Sequence, residues 1–479
     1  MIAFSELKDF ATPPTNEGDT YPIFNPHTRE QITEIKESIN EEMEVAIEKA
    51  AVAFETMKRL TSAERSDILE KASSIIADQK ETFAKTITLE SGKPIRFALG
   101  EVDRTVQTLK FAAIEAKKME GESIRLDAAP GGAGRDAYTI YQPIGVVGAI
   151  TPFNFPLNLV SHKVGPALAA GNTIIVKPAE KTPLSSMLLA EAFTDAGLPE
   201  DAFQVITGDG PRLGKVMIDH PAVAKITFTG SPKVGELIKS QVGLKKITLE
   251  LGNNSALYID ESVKDRLDEI AEKAAVGAFS YNGQVCISTQ RIYVHESIKD
   301  EFLNHFKKAA EALTYGDPFD AATDMSGLID EKSQERVLQW IDEAVEGGAT
   351  LITGGSKQEN GVTPTILTNV DADAKLSCEE VFGPVVIVNG VPDAEEGLKQ
   401  MNASTYGLNA GVFTYHLPQA FRFAHELEVG QVLINDIPTL RFDHMPYGGL
   451  KSSGYGYEGI KYAIKEMVHM KFISMNHAF

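Results

Sequence analysis

From residue 145 to residue 250 the chain alternates short, unbroken apolar runs with longer amphipathic ones, a pattern few folds accept. The apolar runs fall at 145–150, 173–177, 203–206, 225–228 and 246–250. Helical periodicity fills the gaps at 157–170 and 183–196, in a short stretch after 206, and from about Lys233. A strand without polar alternation is covered on both faces, and parallel neighbours need a crossover that a helix supplies. These residues predict a parallel sheet between helices, and such sheets hold ligands at the carboxyl ends of their strands. A second α/β series runs from about Ser255 to Pro446, with strands near 256–259, 291–294, 385–388, 410–414 and 432–435.

Outside this alternation the pattern changes. Residues 1–35 read as an irregular lead-in with one extended piece at 21–26. From Ser38 to about Glu120 apolar residues recur at helical spacing, and Thr61-Ser62-Ala63-Glu64 fits a capped helix start. Residues 121–142 carry Gly121, Pro130, Gly131, Gly132 and Gly134 between extended segments at 123–126 and 138–141. They fit a surface loop, or a hairpin whose free edge pairs with another subunit. The tail from Gly459 predicts a helix and then a strand at 471–474. The 479 residues exceed what one hydrophobic core organises, so two or three domains are expected.

Charge and composition narrow the function classes. With 46 basic and 67 acidic residues the formal net charge is −21, which repels phosphate backbones, so nucleic acid is not an expected partner. No apolar run approaches the roughly 18 residues of a membrane span. Met1–Lys8 show no basic region followed by an apolar stretch. Two cysteines make no disulfide framework, and no Cys/His spacing suits a metal. A reduced, cytoplasmic protein is expected.

Cys286 lies in Tyr281-Asn282-Gly283-Gln284-Val285-Cys286-Ile287, after a helical run ending at Phe279 and before a strand-like run from Arg291. The second cysteine, Cys378, is followed by Glu379 and Glu380, whose charges oppose thiolate formation. Cys286 is the better nucleophile candidate, although a free cysteine is often a small buried hydrophobe. Turns at strand ends offer it partners. Asn154, in Thr151-Pro152-Phe153-Asn154-Phe155-Pro156, would form an oxyanion hole with the Cys286 N–H, or is simply a turn residue. Glu250 stands either as a general base or as a turn acid. Lys177 and Glu180 suit a ribose diol or a surface ion pair. The 228–235 turn can hold a phosphate through helix-start N–H groups, though it is not a P-loop, and Gly208-Asp209-Gly210 is a weaker turn of that kind. Glu380-Val381-Phe382-Gly383-Pro384 carries an acid and an aromatic able to pack on a flat ring, or is a plain loop.

In this order and at these spacings, Asn154, Lys177, the 228–235 turn, Glu250, Cys286 and the Glu380 turn resemble the aldehyde dehydrogenase superfamily. The likeness runs from Asn25-Pro26 to His444-Met445-Pro446-Tyr447-Gly448-Gly449-Leu450-Lys451 and Ser453-Gly454. It implies an α/β fold with a Rossmann-type cofactor domain (1–120 and 143–252), an α/β catalytic domain (253–458) and a β oligomerisation arm (121–142 and 459–479). The activity implied is NAD(P)-dependent oxidation of an aldehyde to an acid, by a homodimer or homotetramer, without a metal. Cys286 would form a thiohemiacetal and then a thioester, Asn154 would hold the oxyanion, and Glu250 would activate thiol or water. Lys163 would support Asn154 from behind.

For the cofactor, the resemblance places Lys177 and Glu180 on the adenosine ribose, Gly230 and Ser231 on the pyrophosphate, and Glu380 on the nicotinamide ribose. Phe382 would lie against the ring, with Thr151, Pro152, Gly210, Gly235 and Leu251 along the same wall. Glu180 would repel a 2′-phosphate, so NAD is expected, with NADP possible. Asn253 stands where many relatives have a glycine, and would either crowd the nicotinamide path or point away. Arg441, with Arg104 or His162, would hold a small anionic or hydroxylated aldehyde, as in the lactaldehyde and non-phosphorylating glyceraldehyde-3-phosphate dehydrogenase branches. Pairing of Arg441 with Asp436 or Asp443 is the alternative. Acyl transfer to coenzyme A, and a non-catalytic protein on the same fold, also stay open.

Overall fold

The computed structural model describes residues 19–477, and the reading of Met1–Lys8 lies outside the described residues. The expected alternation builds a six-stranded sheet in the order Gly454–Tyr455, Lys246–Glu250, Val223–Thr229, Val146–Ile150, Thr173–Lys177, Phe203–Val205. All neighbours are parallel except Gly454–Tyr455, which lies antiparallel on Lys246–Glu250. That short strand comes from within the 253–458 segment, so the later chain completes the earlier sheet. From Val146–Ile150 the chain winds outward to Phe203–Val205 on one side, then returns to build the other side. The reversal of direction opens a crevice at the carboxyl ends of the strands. Every residue of Thr173–Lys177 is buried, which is why it reads as a continuous apolar run.

Residues 251–254 lead directly from this sheet into a second, seven-stranded one. Its order is Thr350–Thr353, Thr365–Thr368, Val385–Val391, Thr289–His295, Ser255–Ile259, Asn409–Phe413, Gln431–Ile434. The strands Thr350–Thr353 and Thr365–Thr368 were not expected, because four residues flanked by threonines are too short to show a period. Helices Asn40–Met57, Ser62–Asp78, Lys80–Ser91 and Ile95–Ala116 fill the expected helical region. Thr61 caps its helix as the sequence predicts, with Oγ1 accepting the Glu64 N–H at 3.2 Å and Glu64 Oε2 accepting the Thr61 N–H at 2.7 Å.

The periphery departs from expectation. The lead-in is a hairpin in which Thr20–Phe24 pairs with Gln31–Lys36. Within the 121–142 segment the local pairing is short: around the antiparallel bridge Ser123–Tyr138 the Ile124 N–H donates to Ala137 O at 2.8 Å and the Thr139 N–H to Glu122 O at 2.9 Å, and Leu126–Ala128 is a 3-10 turn. Arg135–Pro143 pairs along its whole length with Val468–Asn476, so the tail strand extends well beyond 471–474. Among the described residues no helix is long and apolar enough to cross a membrane.

Candidate active site

Helix Leu267–Phe279 delivers the chain to a turn that is strained by design. Tyr281, Asn282 and Gly283 follow one another with φ of 50°, 56° and 69°. The left-handed region costs on the order of 1–2 kcal/mol for a residue with a side chain, so the turn needs restraints. Asn282 Oδ1 accepts the Ser326 N–H at 3.0 Å, its Nδ2 donates to Gly327 O at 3.1 Å, and Tyr281 OH donates to Ser91 O at 3.0 Å. Gly283 must be glycine, since a Cβ there would lie 2.2 Å from Gly383 O. Three residues past this pinned turn stands Cys286.

Cys286 lies on the wall of two cavities. One, of about 650 Å³, follows the carboxyl ends of the first sheet and is lined by Thr151, Pro152, Asn154, Lys177, Glu180, Gly210, Gly230, Ser231, Leu251, Glu380 and Phe382. The other, of about 440 Å³, is bounded by Lys93, Arg96, Arg104, Phe155, Tyr281, Arg441 and Tyr447 among others. Three expected residues are on neither wall: Gly235, Glu250 and His162. Gly235 instead lets a helix approach a strand end, because a Cβ there would stand 2.4 Å from Leu251 Cδ2.

The larger cavity fits a dinucleotide. At one end Glu180 Oε1 accepts the Gly210 N–H at 2.7 Å and the Lys177 ammonium. A Cβ on Gly210 would come within 2.7 Å of that same oxygen. At the other end Glu380 Oε1 accepts the Asn253 N–H at 2.9 Å, and burial pushes its carboxyl up to about 8. Phe382 is held at φ 46° with its ring edge-on to Phe153 at 5.7 Å. Between them Ser231 opens helix Pro232–Gln241, and the buried hydroxyls of Thr151 and Thr229 have no protein partner. A carboxylate, a lysine, a helix start and free hydroxyls are the donor and acceptor set that ribose and pyrophosphate require. Asn253 points away from this path: its Nδ2 donates to Ser255 Oγ at 2.6 Å, and it is not on the wall.

Near Cys286 several charges are buried, paired in the case of Lys93 with Glu101 and of Lys163 and Arg441 with Glu458. Asn154 Nδ2 donates to Gln284 O at 2.9 Å, which leaves its second amide hydrogen uncommitted. The loop carrying Asn154 is anchored by Glu101, whose Oε1 accepts the N–H groups of Leu157 and Asn158, both at 3.0 Å. The other Glu101 oxygen holds the Lys93 ammonium, which lies 3.8 Å from the Phe155 ring centroid. Both Glu250 carboxylate oxygens are buried without a partner. Burial, and then the charge of Glu458, raise the Glu250 carboxyl well above its ordinary value, with Arg441 and Lys163 opposing. Burial would raise Glu458 as well, but Lys163 at 2.7 Å and Arg441 at 3.2 Å outweigh it and hold that carboxyl at about 2. For the Cys286 thiol burial dominates and pushes it up to about 11, against the hydrogen bond from Tyr447 and the charge of Arg441.

On the smaller cavity Arg104 grips Asp443 through Nη2 at 2.7 Å and Nε at 3.2 Å. His162 Nε2 lies 2.8 Å from the same carboxylate, fully buried, so it supports Asp443 and does not reach the cavity. Arg441 takes neither Asp436 nor Asp443 as its ion-pair partner; it bonds Glu458 and keeps a buried Nε without a partner. The sequence reading assigned no role to Lys93, Glu101, Tyr447 or Glu458. Tyr447 stood inside a quoted motif, whereas Glu458 lies 295 residues from Lys163 and nothing in the sequence links them.

Comparison with known proteins agrees with this geometry. Residues 14–473 match the model of the Aldehyde dehydrogenase family. The 3-sulfolactaldehyde dehydrogenase of Priestia megaterium is 43% identical over 481 residues, covering 99% of this chain and all of that protein. Aldehyde dehydrogenase 21 from Physcomitrella patens, solved with the reaction product succinate, superposes with a TM-score of 0.95 at 37% identity, covering 98% of this chain and 97% of that one. The glyceraldehyde-3-phosphate dehydrogenase GapN from Methanocaldococcus jannaschii, complexed with NADP, superposes with a TM-score of 0.91 at 38% identity, covering 96% of this chain and all of the other.

Proposed function

The chain belongs to the aldehyde dehydrogenase family and is an NAD(P)-dependent oxidoreductase, and from that premise we propose that it oxidises a small anionic, hydroxylated aldehyde with Cys286 as nucleophile. The observation that carries this reading is the place of Cys286 on the shared edge of a dinucleotide-shaped cavity and an arginine-bearing one.

Each step then falls to residues already described. Glu250, a carboxylate made more basic by burial, takes the thiol proton. The Cys286 sulfur attacks the aldehyde carbon, a C–S bond forms, and the carbonyl π pair moves to oxygen. The free Asn154 amide hydrogen and the Cys286 N–H hold that oxyanion. NAD(P) would supply the hydride acceptor; Glu180 and Lys177 would hold one ribose, Ser231 the phosphates and Glu380 the other ribose. As the oxyanion collapses a thioester remains on Cys286. Glu250 gives up the thiol proton to solvent and, again a carboxylate, removes a proton from water; the water oxygen attacks the thioester carbon, and the C–S bond breaks with sulfur leaving as thiolate. A buried base suits water as the acyl acceptor better than coenzyme A, whose thiol needs none.

Arg441 Nε and the solvent-facing part of Arg104 supply positive charge to the smaller cavity. This suits sulfonate, phosphate or carboxylate, as the names of the related 3-sulfolactaldehyde and glyceraldehyde-3-phosphate enzymes suggest for those proteins. Glu180 favours NAD over NADP. The Arg135–Pro143 and Val468–Asn476 ribbon, with Met470, Phe472 and Met475 exposed, supports its use as the arm of a homodimer or homotetramer. Segments 1–120 and 143–252 serve as the cofactor domain and 253–458 as the catalytic domain. Two free thiols fit a reduced, cytoplasmic setting.

The test is a panel of short aldehydes bearing sulfonate, phosphate, carboxylate or no charge, assayed for NADH formation and for acid against acyl-CoA product. A preference of about tenfold or more in kcat/KM for an anionic member, lost in Arg441→Lys or Arg104→Gln, is expected. Equal use of neutral aldehydes overturns the substrate class.

A further inference from the structure

The Cys286 sulfur has one polar side-chain neighbour at bonding distance that the steps above do not use. Tyr447 OH lies 3.2 Å from Cys286 Sγ. The Tyr447 side chain is buried, and it lines the smaller cavity but not the larger, so its hydroxyl meets the sulfur from the aldehyde side.

Its placement is tightly determined. The Tyr447 N–H donates to Glu458 O at 3.0 Å, and the Glu458 N–H donates back to Tyr447 O at 2.6 Å. The Glu458 carboxylate holds Arg441, whose guanidinium lies 3.6 Å from the Tyr447 ring centroid. Backbone pairing fixes the residue, and the stacked cation fixes the ring. Val285, Ile287, Leu408 and Tyr281 pack around it.

We propose that Tyr447 is a catalytic residue of this enzyme: its phenol donates a hydrogen bond to the Cys286 sulfur and holds it as a thiolate while the aldehyde arrives. This rests on Cys286 being the nucleophile. The asymmetry between the two protonation states gives the argument its force. Between a thiol and a phenol either atom can donate, and the bond is weak. Once the thiol proton has gone to Glu250, only the phenol can donate, and a bond to an ionised acceptor is roughly twice as strong. The contact therefore favours the ionised form. Tyr447 itself stays protonated, because burial and the nearby sulfur oppose its own ionisation. The other charges acting on the sulfur are Arg441, which favours thiolate, and Glu380 and Glu250, which oppose it. A guanidinium against the ring face also makes the phenol a better donor. A phenylalanine in this position would keep the packing and lose the effect.

The experiment is the rate of iodoacetamide alkylation at Cys286 against pH, with the modified peptide identified by mass spectrometry so that exposed Cys378 is scored separately. It is run on full-length wild type, Tyr447→Phe and Cys286→Ser, without added cofactor. Tyr447→Phe should move the alkylation midpoint up by about one to two pH units and slow the reaction at pH 7 by about ten- to hundredfold. Replacing Tyr447 by 3-fluorotyrosine, a stronger donor of nearly the same shape, should move the midpoint down, which a merely structural role would not do. Midpoints unchanged in both proteins overturn the proposal. In a parallel assay with NAD and aldehyde, sustained NADH formation by Cys286→Ser overturns the nucleophile assignment, whatever Tyr447 does.

Discussion

Lys163 Nζ donates to Glu458 Oε1 at 2.7 Å with both side chains almost wholly buried. The Glu458 carboxyl is held at about 2 against an ordinary 4.5. Its folded value lies below the unfolded one, so the stabilisation is fully present above pH 4.5 and is lost as pH falls towards 2. Glu458→Gln leaves Lys163 and Arg441 without their counter-charge, at a cost of about 3–5 kcal/mol. Urea unfolding at pH 7 measures that loss. The same titration between pH 5 and 2 should show a shallower acid dependence in the variant.

Glu250 is shifted the other way. Its carboxyl must lose a proton to act as base, so kcat should climb as pH rises through its raised value. Glu250→Gln should lower kcat by about 10²–10⁴ and abolish that limb. A pH profile of steady-state turnover checks both.

Asn154 keeps one amide hydrogen on Gln284 O and has one to offer. Asn154→Ala should reduce kcat by about 10²–10³ and change KM much less, since the oxyanion exists only after attack. An equal rise in KM with kcat intact would assign Asn154 to ground-state binding.

Glu180 accepts the Gly210 N–H at one end of the larger cavity, and its side chain is half exposed. Solvent screening weakens its repulsion of a 2′-phosphate, so Glu180→Gln should raise the NADP-to-NAD ratio of kcat/KM only about tenfold. A ratio that does not move places the discrimination elsewhere.

The inner strands of the two sheets were legible because burial on both faces writes unbroken apolar runs, whereas the short strands Thr350–Thr353, Thr365–Thr368 and Gly454–Tyr455 write none. Cys286 was legible because only two cysteines exist and the other stands among acids. The wall of the larger cavity was legible as glycines and acids at strand ends. Lost to the sequence was everything closed by distant partners. Periodicity places His162 on a helix but does not say that Asp443 faces it, and so His162 was read as a substrate group. The alternative partners for Arg441, Asp436 and Asp443, are near it in sequence, whereas folding gives it Glu458. The 121–142 segment fits a loop or a hairpin in sequence, and nothing there tells that Arg135–Pro143 pairs along its length with a tail strand more than 300 residues later.

The most direct measurement is acid quenching during turnover of an aldehyde with NAD, followed by peptide mass spectrometry. The account predicts an acyl adduct on the peptide containing Cys286 in the wild type, absent in Cys286→Ser together with NADH formation. An adduct on another residue, or unimpaired turnover in Cys286→Ser, would contradict it.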